Sequence, residues 1–389
     1  MNILYIGNFS PNSLLAIYPD LGLDTYKTSE FLIRGFRQID EVYLRVITAP
    51  NVGSYPKFSQ KIIKREITED GTISVGFYNY PVIKQLMITK ALYNEACKII
   101  EASEGKTYVI IPYVVLHYVR VARKLKKRLG NKVIICQIVP DIFFPKKCLH
   151  RKVNARAEML AAKSDVFVFF TKAMAEYYNV PEKRYIVMES VIDGSTYKNV
   201  SSNKNIVDGK LKVVYTGALG IPNGVAKLIE MMRFLNRDDF ELVVTGRGTL
   251  AEEFSKASNE DSRIRFMGTV PKQDVFKYQS QADVLINPRS DKDAPLVTRY
   301  MFPSKLMEYM LTGNVALTCR MEGIPEEYYN YVYVSQLDSP EGLADALNKV
   351  LDLSSEERNE KGQKAREYIL TNKTIPVQTR RIVDFLKKF

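Results

Sequence analysis

A serine, a lysine and a glutamate at helical spacing follow an apolar strand in the second half of the sequence. The strand spans residues 283–287, and Ser304, Lys305 and Glu308 lie on the polar side of an amphipathic segment that begins at Pro303. Proline suits the first position of a helix, and the free N–H groups at a helix start after a strand bind anions. The segment therefore predicts a site for a phosphate, held by the helix start and Lys305, and for a sugar diol, held by Glu308.

Three arginines and a glycine near strand ends add candidates for holding the same phosphate. Arg289 directly follows the strand and Arg299 lies further along its loop, whereas Arg247 lies between two glycines and Gly217 closes the first strand of this half. A guanidinium grips phosphate in a bidentate manner, and glycine lets the backbone approach a ligand closely. Two alternatives stay open: Arg289 closes its loop on a nearby aspartate, and the glycines serve only tight turns.

Alternating strands and helices predict a mostly parallel α/β sheet in each half of the chain. The strands predicted in the first half are Asn2–Gly7, Val42–Thr48, Ile73–Phe77, Tyr108–Ile111, Val133–Val139 and Asp165–Phe170. The helices predicted there are Tyr26–Gln38, Val82–Ser103, Val114–Leu129 and Lys152–Lys163. The strands predicted in the second half are Lys212–Thr216, Glu241–Thr245, Arg263–Met267, Asp283–Asn287, Val315–Thr318 and Val332–Val334.

A polar stretch without apolar periodicity, Asp193–Lys210, is interpreted as the linker between two domains. The expected domains are 1–195 and 196–374, and a last amphipathic helix at about 375–389 is expected to pack back on the first domain. Two Rossmann-like halves with a cleft between them are the predicted architecture.

The chain has 389 residues, a formal net charge of +12 and a pI near 9.2, which favours phosphorylated ligands, polyanions or anionic membranes as partners. Its four cysteines form no CxxC pair and are expected to be reduced. The N-terminus has the pattern of a first strand rather than of a signal peptide, and no stretch is apolar enough to span a membrane. A cytoplasmic protein is expected, peripheral at most on the inner face of the plasma membrane.

Two segments resemble a known family. The run LINPRSDKDAPLVTRYMFPSKLMEYMLTGNVALT is similar to the donor site of family 4 glycosyltransferases of the GT-B fold, and is closest to the branch for bacterial capsule and exopolysaccharide assembly. The run DVFVFFTKAMAEYYNVPEKRYIVMESVID resembles the end of that branch's N-terminal domain. The resemblance implies a retaining, metal-independent transfer of a sugar from a nucleotide diphosphate, expected to be UDP.

The resemblance also implies roles for single residues. It makes Glu308 the ligand of the ribose hydroxyls and places Ser304, Lys305 and Leu306 at the nucleotide diphosphate. Asp141, just after the strand Val133–Val139, is placed where the family has a His or Asp facing the donor sugar. The alternatives are a solvated helix position for Glu308, a surface charge for Lys305 and a turn aspartate for Asp141.

The chain departs from the family pattern at three positions. Tyr300 stands where many members have a sugar-binding glutamate, and Ala218 and Asn223 stand where they have phosphate-binding cations. The sugar is therefore left open, and other cations must take over the phosphate. The candidates for this are Arg247, Arg289, Arg299 and Lys305.

Metal and histidine chemistry have little support. Asp291-Lys292-Asp293 imitates a DxD metal motif, but the lysine between the carboxylates argues against it, and no His/Cys/Asp cluster has metal-ligand spacing. His117 and His150 are the only histidines, and His117 lies within a helical pattern typical of packing. No metal and no cofactor beyond the donor substrate are expected.

A basic amphipathic helix, Val114–Leu129, carries clustered cations from Arg120 to Arg128, and a second basic patch lies near Lys57–Arg65. The helix suits an anionic membrane bearing a lipid-linked acceptor, or is a packed Rossmann helix with a solvated end. Nucleic acid is not expected as a partner, because no nucleic-acid motif is present and the basic residues are spread over both halves.

The leading hypothesis is thus a glycosyltransferase that acts on a glycan or on a polyprenyl-diphosphate-linked acceptor. One alternative is a nucleotide-sugar epimerase of the same fold, which would need acid–base groups that this histidine-poor chain offers sparingly. Another is a non-catalytic GT-B protein that binds membranes or polyanions, a reading motivated by the departures from the family pattern.

Overall fold

The computed structural model describes residues 1–11, 14, 17–18, 27–144, 148–196 and 209–389. The chain divides into one unit of residues 1–191 and 375–389 and another of residues 192–374. The division falls at residue 191, close to the position expected from the sequence. Most of the linker predicted at Asp193–Lys210 lies outside the described residues.

The first unit is built on an eight-stranded sheet of order β10-β9-β8-β7-β1-β2-β5-β4, in which only the β4–β5 pair is antiparallel. A separate antiparallel pair joins β3 and β6. The strands are β1 (Asn2–Ile6), β2 (Tyr43–Thr48), β3 (Ile62–Ile63), β4 (Glu66–Ile67), β5 (Ile73–Ser74), β6 (Phe77–Tyr78), β7 (Thr107–Pro112), β8 (Val133–Val139), β9 (Val166–Phe169) and β10 (Tyr185–Val187). Its helices before residue 191 are α1 (Lys27–Arg37), α2 (Lys84–Glu101), α3 (Leu116–Leu129), α4 (Cys148–Ala161) and α5 (Lys172–Tyr177).

The prediction of one strand at Ile73–Phe77 was wrong, because the chain forms two short strands there, in different sheets. A Cβ on Gly76, between them, would lie 2.8 Å from the backbone nitrogen of Arg65, so the glycine allows two backbone segments to approach closely. Strands of two residues are too short to show a periodic pattern, which explains why β3 and β4 were also missed.

The second unit is a six-stranded parallel sheet of order β13-β12-β11-β14-β15-β16. Its strands are β11 (Leu211–Thr216), β12 (Phe240–Thr245), β13 (Ile264–Phe266), β14 (Val284–Asn287), β15 (Val315–Cys319) and β16 (Tyr333–Ser335). Its helices are α6 (Ala226–Glu230), α7 (Ala251–Glu260), α8 (Lys272–Ser280), α9 (Pro295–Thr298), α10 (Ser304–Thr312), α11 (Pro340–Leu351) and α12 (Ser355–Asn372). The strand order reverses between β11 and β14, and ligands of such sheets bind at the carboxyl ends of the strands at that switch point.

The last helix, α13 (Ile375–Leu386), packs against α1 of the first unit. A Cβ on Gly35 would lie 2.4 Å from Thr379, so the glycine lets the two helices approach closely. The Gln378 side chain donates a 2.7 Å hydrogen bond to the carbonyl of Met188. The C-terminal helix is therefore part of the first unit.

Within the part of the chain that the structure describes, no helix is both long and apolar enough to cross a membrane. All four cysteines lie in that part and are unpaired.

Candidate active site

The second unit places Lys305 at the switch point of its sheet. Lys305 lies in the first turn of α10, and its Nζ donates a 3.1 Å hydrogen bond to the hydroxyl of Tyr215, a residue of β11. Gly217 ends that strand with φ near +140°, and a Cβ on it would lie 2.1 Å from the Lys305 Nζ. Only a glycine therefore lets the ammonium lie across the carboxyl end of β11.

Burial lowers the pKa of Lys305 to about 8, an effect that Glu308 opposes and Arg289 increases. The ammonium of Lys305 is thus desolvated and has a second cation nearby. An incoming phosphate would relieve both costs, because it supplies the negative charge that this part of the site lacks.

The start of α10 is open to a ligand. Pro303 precedes the first helical residue, Ser304, rather than occupying that position, and no side chain caps the helix. Its first N–H groups therefore point outward with the positive end of the helix dipole. Glu308 lies one turn further along and is half-buried, and among the described residues its carboxylate forms no hydrogen bond or ion pair.

The opposite face of α10 fixes the helix to the sheet. Leu306, Met307, Met310 and Leu311 are buried, as their spacing predicted. The hydroxyl of Tyr309 accepts a 3.0 Å hydrogen bond from the backbone N–H of Thr216. The helix start is thus held rigidly beside the end of β11, and Lys305 and Glu308 occupy set positions.

Arg289 lies against the loop that follows β11. Its Nε donates to the carbonyl of Pro222 at 2.8 Å, and its Nη1 contacts the sulfur of Met301 at 2.9 Å. Arg289 therefore does not close its loop by pairing with Asp291 or Asp293, which was the alternative interpretation of this residue. The arginine instead lies where the sequence lacks the expected cations of the β11 loop.

Lys227, which the sequence analysis did not single out, holds the loop after β14 in place. This buried lysine of α6 donates to Ser290 Oγ at 2.7 Å, to Asp293 Oδ2 at 2.9 Å and to Asp338 Oδ1 at 3.0 Å. A Cβ on Gly224 would lie 2.5 Å from the Asp293 carboxylate, so this glycine is needed for the contact. The ion-pair cluster fixes the segment that carries Arg289.

The remaining predicted residues of the second unit have different surroundings. Arg299 pairs with Glu322 at 3.0 Å, and Arg247 is exposed in the turn after β12. The Leu306 side chain is buried, and its N–H donates to the carbonyl of Pro303 at 2.8 Å. The structure therefore brings Gly217, Lys305 and Arg289 together and pairs Arg299 with a carboxylate.

The carboxylates of the DxD-like run are engaged within the protein. Asp291 Oδ2 accepts from the backbone N–H of Glu322 at 2.9 Å, while Asp293 holds Lys227 and Ser290. Among the described residues, no three His, Cys, Asp or Glu side chains are arranged to hold a metal ion. Independence from metals remains a prediction.

Asp141 lies at the carboxyl edge of the first unit's sheet, two residues after the end of β8. Its side chain keeps contact with solvent, yet partial desolvation raises its pKa to about 6. Tyr113, which follows the neighbouring β7, has φ near +61°, an uncommon conformation for a non-glycine residue. Such conformations cluster at functional sites, and here it occurs at the same sheet edge as Asp141.

Histidine 117 is half-buried on α3, 4.1 Å from the ring of Tyr118, and burial lowers its pKa to about 4. It is therefore neutral at physiological pH, in agreement with the predicted packing role.

Part of the basic end of α3 is engaged within the first unit. Lys126 pairs with Asp165 at 3.0 Å, Arg128 pairs with Glu101 at 2.7 Å, and Arg123 donates to the carbonyl of Lys163 at 2.8 Å. α3 lies between α2 and α4. These contacts favour the packed Rossmann helix among the two interpretations of this segment.

Solved structures share this fold over the whole chain. HepE of Anabaena in complex with UDP is 14% identical, with a TM-score of 0.68 and 100% of each chain covered. An α,α-trehalose 6-phosphate synthase from Burkholderia multivorans is 12% identical, with a TM-score of 0.68, covering 100% of this chain and 96% of that chain. A trehalose-6-phosphate structure from E. coli, bound with UDP-2-fluoro glucose, is 12% identical, with a TM-score of 0.70, covering 100% and 99%. The chain thus has the GT-B fold of glycosyltransferases.

The sequence adds the family. Residues 210–353, most of the second unit, match the family described as Glycosyl transferases group 1. This part of the chain is therefore similar to the group 1 glycosyltransferases, as the resemblance of its donor segment implied. No curated protein matches the sequence.

Two residues of the site, Tyr215 and Lys227, were not predicted from the sequence, although the sequence around each of them indicates a role. Tyr215 is the penultimate residue of a strand that is followed by a glycine, and a polar group there lies at the ligand-binding edge of the sheet. Lys227 stands among Val225, Leu228 and other apolar residues at helical spacing, and a charge on an apolar face needs a buried partner.

Proposed function

We propose that the protein is a retaining glycosyltransferase that moves a sugar from a UDP-sugar to a hydroxyl of a lipid-linked glycan during surface polysaccharide assembly. The observation that carries the proposal is the desolvated Lys305 ammonium, which lies across Gly217 at the switch point beside an uncapped helix start. The group 1 family match is consistent with this use of the site.

The diphosphate would bind between the first turn of α10 and the loop after β11. The N–H groups of Ser304 and Lys305, the Lys305 ammonium and Arg289 would share its charge as the sugar departs. Preorganised positive groups of this kind supply the largest share of catalysis in many enzymes. Arg289 would also replace the cations missing at Ala218 and Asn223, because it lies against that loop.

The nucleoside would be held by Glu308, whose carboxylate is left without a hydrogen bond among the described residues and can accept two ribose hydroxyls. UDP is the proposed nucleotide because the similar Anabaena and E. coli structures hold UDP and UDP-2-fluoro glucose. Asp141 would orient the transferred sugar as a carboxylate. Departure of the diphosphate would need no metal, because protein cations neutralise it.

The direct test is a panel of nucleotide sugars assayed by mass spectrometry with a lipid-diphosphate acceptor mimic. We expect one UDP-sugar to be consumed, with the anomeric configuration of the donor kept in the product and with activity unchanged by EDTA. Release of an epimerised nucleotide sugar without acceptor would favour the epimerase. Absence of stabilisation by UDP, GDP, ADP or CMP at millimolar concentration would favour the non-catalytic protein.

A further inference from the structure

The first unit exposes apolar side chains around the start of α2. Val82 is 87% exposed and Leu86 is 63% exposed, and on the neighbouring β3–β6 pair Ile62 is 56% exposed and Tyr78 is 49% exposed. Scattered apolar residues are normal on a protein surface, but adjacent ones mark sites of interaction.

One part of this surface is the exposed face of the strand pair. In the β3–β6 pair, Ile62 is directly opposite Tyr78, and both are exposed, while Ile63 and Phe77 on the other face are buried. The strand pair is therefore amphipathic. The residue pairing fixes which face it turns to solvent.

The surface continues from the strand pair to the helix. The ring of Tyr80, two residues beyond β6, contacts the ring of Tyr55 at 5.8 Å, and the Lys61 ammonium lies 5.2 Å from the Tyr55 ring. The carbonyl of Tyr80 accepts the N–H of Lys84, the first residue of α2. Val82 and Leu86 lie in and just after the turn that joins the strand pair to α2.

The charges on the two segments that form this surface have one sign, while Glu66 and Glu95 lie just beyond these segments and Glu95 pairs with Arg65 at 2.8 Å. Neither residues 42–65 nor residues 71–94 contain an aspartate or glutamate. Lys57, Lys61 and Lys64 are exposed. Exposed aliphatic side chains, tyrosines with polar tips and lysines on long stems are the groups that proteins place at the interface of an anionic bilayer.

The surface lies at a functional edge of the sheet. Because α2 leads into β7, its first turn lies toward the carboxyl ends of the parallel strands, the edge that also carries Asp141. The basic end of α3 lies at the amino edge, since Lys126 donates at 2.7 Å to the carbonyl of Val133, the first residue of β8.

We infer that this surface binds an anionic lipid bilayer. The lipid face comprises Ile62, Tyr78, Tyr80, Val82 and Leu86 with Lys57, Lys61 and Lys64. Its apolar side chains enter the headgroup region and its lysines contact lipid phosphates. This binding is separate from sugar transfer and replaces Arg120–Arg128 as the membrane-contacting element.

The test is co-sedimentation of the full chain with vesicles of equal phosphatidylglycerol and phosphatidylcholine, and with vesicles of phosphatidylcholine alone. The variant is Val82→Glu with Leu86→Glu. The control is Tyr43→Glu with Met159→Glu, which makes the same charge change at residues 54% and 56% exposed. Tyr43 begins β2 and Met159 is near the end of α4, so both lie toward the amino edge.

We expect the wild type and the control to bind the anionic vesicles, and the Val82/Leu86 variant to bind at least about tenfold more weakly. Binding of the wild type should fall on vesicles of phosphatidylcholine alone and in high salt. An unchanged circular dichroism spectrum and melting temperature show that the variant is folded.

Equal binding of the two double variants would overturn the inference, as would a wild type that ignores anionic vesicles. The inference would also be overturned if the wild type were a dimer that binds no vesicles and the Val82/Leu86 variant were a monomer. That result would assign the surface to self-association. Lys124→Ala with Lys127→Ala, on exposed lysines of α3, should leave binding within about twofold.

Discussion

The two halves of the donor segment differ in what their charged side chains contact. In residues 289–300, Arg289 bonds to Pro222, Asp293 to Lys227 and Arg299 to Glu322. In residues 303–308, the helix start is uncapped and Glu308 has no hydrogen bond or ion pair among the described residues. Asp293 and Arg299 of the first half are ion-paired within the protein, whereas Arg289, Lys305 and Glu308 have no ion pair among the described residues and can bind a ligand.

This difference assigns separate tasks to the two halves. Charged groups that are already paired hold a loop in shape, and substituting them costs stability before it costs chemistry. Charged groups held in place without partners bind and stabilise charge, and substituting them costs catalysis. The two halves can therefore be separated by measuring unfolding and kinetics on the same variants.

The largest effect is expected from Lys227→Met, which removes a buried ammonium and leaves the partly buried carboxylates of Asp293 and Asp338 without a counter-ion. Removing one partner of a buried ion pair costs about 3–5 kcal/mol of unfolding free energy. Urea unfolding followed by circular dichroism measures the loss, and Lys277→Met on an exposed lysine should stay within about 0.5 kcal/mol. Equal stability of the two variants would mean that the cluster does not hold the loop.

Lys305→Met is expected to lower kcat by about 10²–10³-fold, the loss seen when one charge-stabilising group of a preorganised site is removed. Its melting temperature should not fall, because a desolvated ammonium with a lowered pKa does not stabilise the fold. Steady-state kinetics and a thermal melt on one preparation check both. A destabilised variant with normal kcat would mean that Lys305 stabilises the fold and does not take part in catalysis.

Glu308→Ala is expected to weaken nucleotide binding by about 10–100-fold, because hydrogen bonds to a charged acceptor contribute about 1.5–3 kcal/mol. Glu308→Gln keeps one acceptor oxygen and should recover part of the affinity. Glu260→Ala, on an exposed glutamate of the same unit, is the control. If Glu308→Ala bound the nucleotide as tightly as the wild type, Glu308 would not be the ligand of the ribose hydroxyls.

The pH dependence of kcat/KM should show two limbs. Lys305, with its pKa lowered to about 8, is charged below that pH, so phosphate binding weakens as pH rises through 8. Asp141, with its pKa raised to about 6, is protonated below that pH, so orientation of the sugar is lost as pH falls through 6. Lys305→Met should abolish the upper limb and Asp141→Asn the lower one. Limbs that persist in both variants would exclude these groups.

The smallest effect is expected from Arg299→Ala. Its ion pair with Glu322 is partly exposed, and such pairs contribute about 0–1 kcal/mol to stability. Nucleotide affinity should change by less than about threefold, as measured by titration. A loss of nucleotide affinity as large as that of Lys305→Met would mean that Arg299 binds the phosphate. The two halves would then not differ in function.

The sequence predicted the second unit's sheet and the amphipathic α10, because these strands are apolar runs, the first three with a glycine at their end, and the helix has one apolar stripe. It also predicted that Lys305 and Glu308 share one face, since helical spacing fixes this. The partners of Arg289, Asp291 and Asp293 could not be predicted. These partners, Pro222, Glu322 and Lys227, lie far from them in the chain and meet them only when the loops after three strands converge.

The central claim, that the start of α10 binds a nucleoside diphosphate, is tested most directly by calorimetric titration with UDP. The wild type and Lys277→Met should bind UDP, with dissociation constants of about 1 mM or lower. Lys305→Met should bind at least about tenfold more weakly at pH 7, and the difference should shrink above pH 8. Equal binding of UDP by Lys305→Met and the wild type, or no binding of UDP by the wild type, would contradict the account.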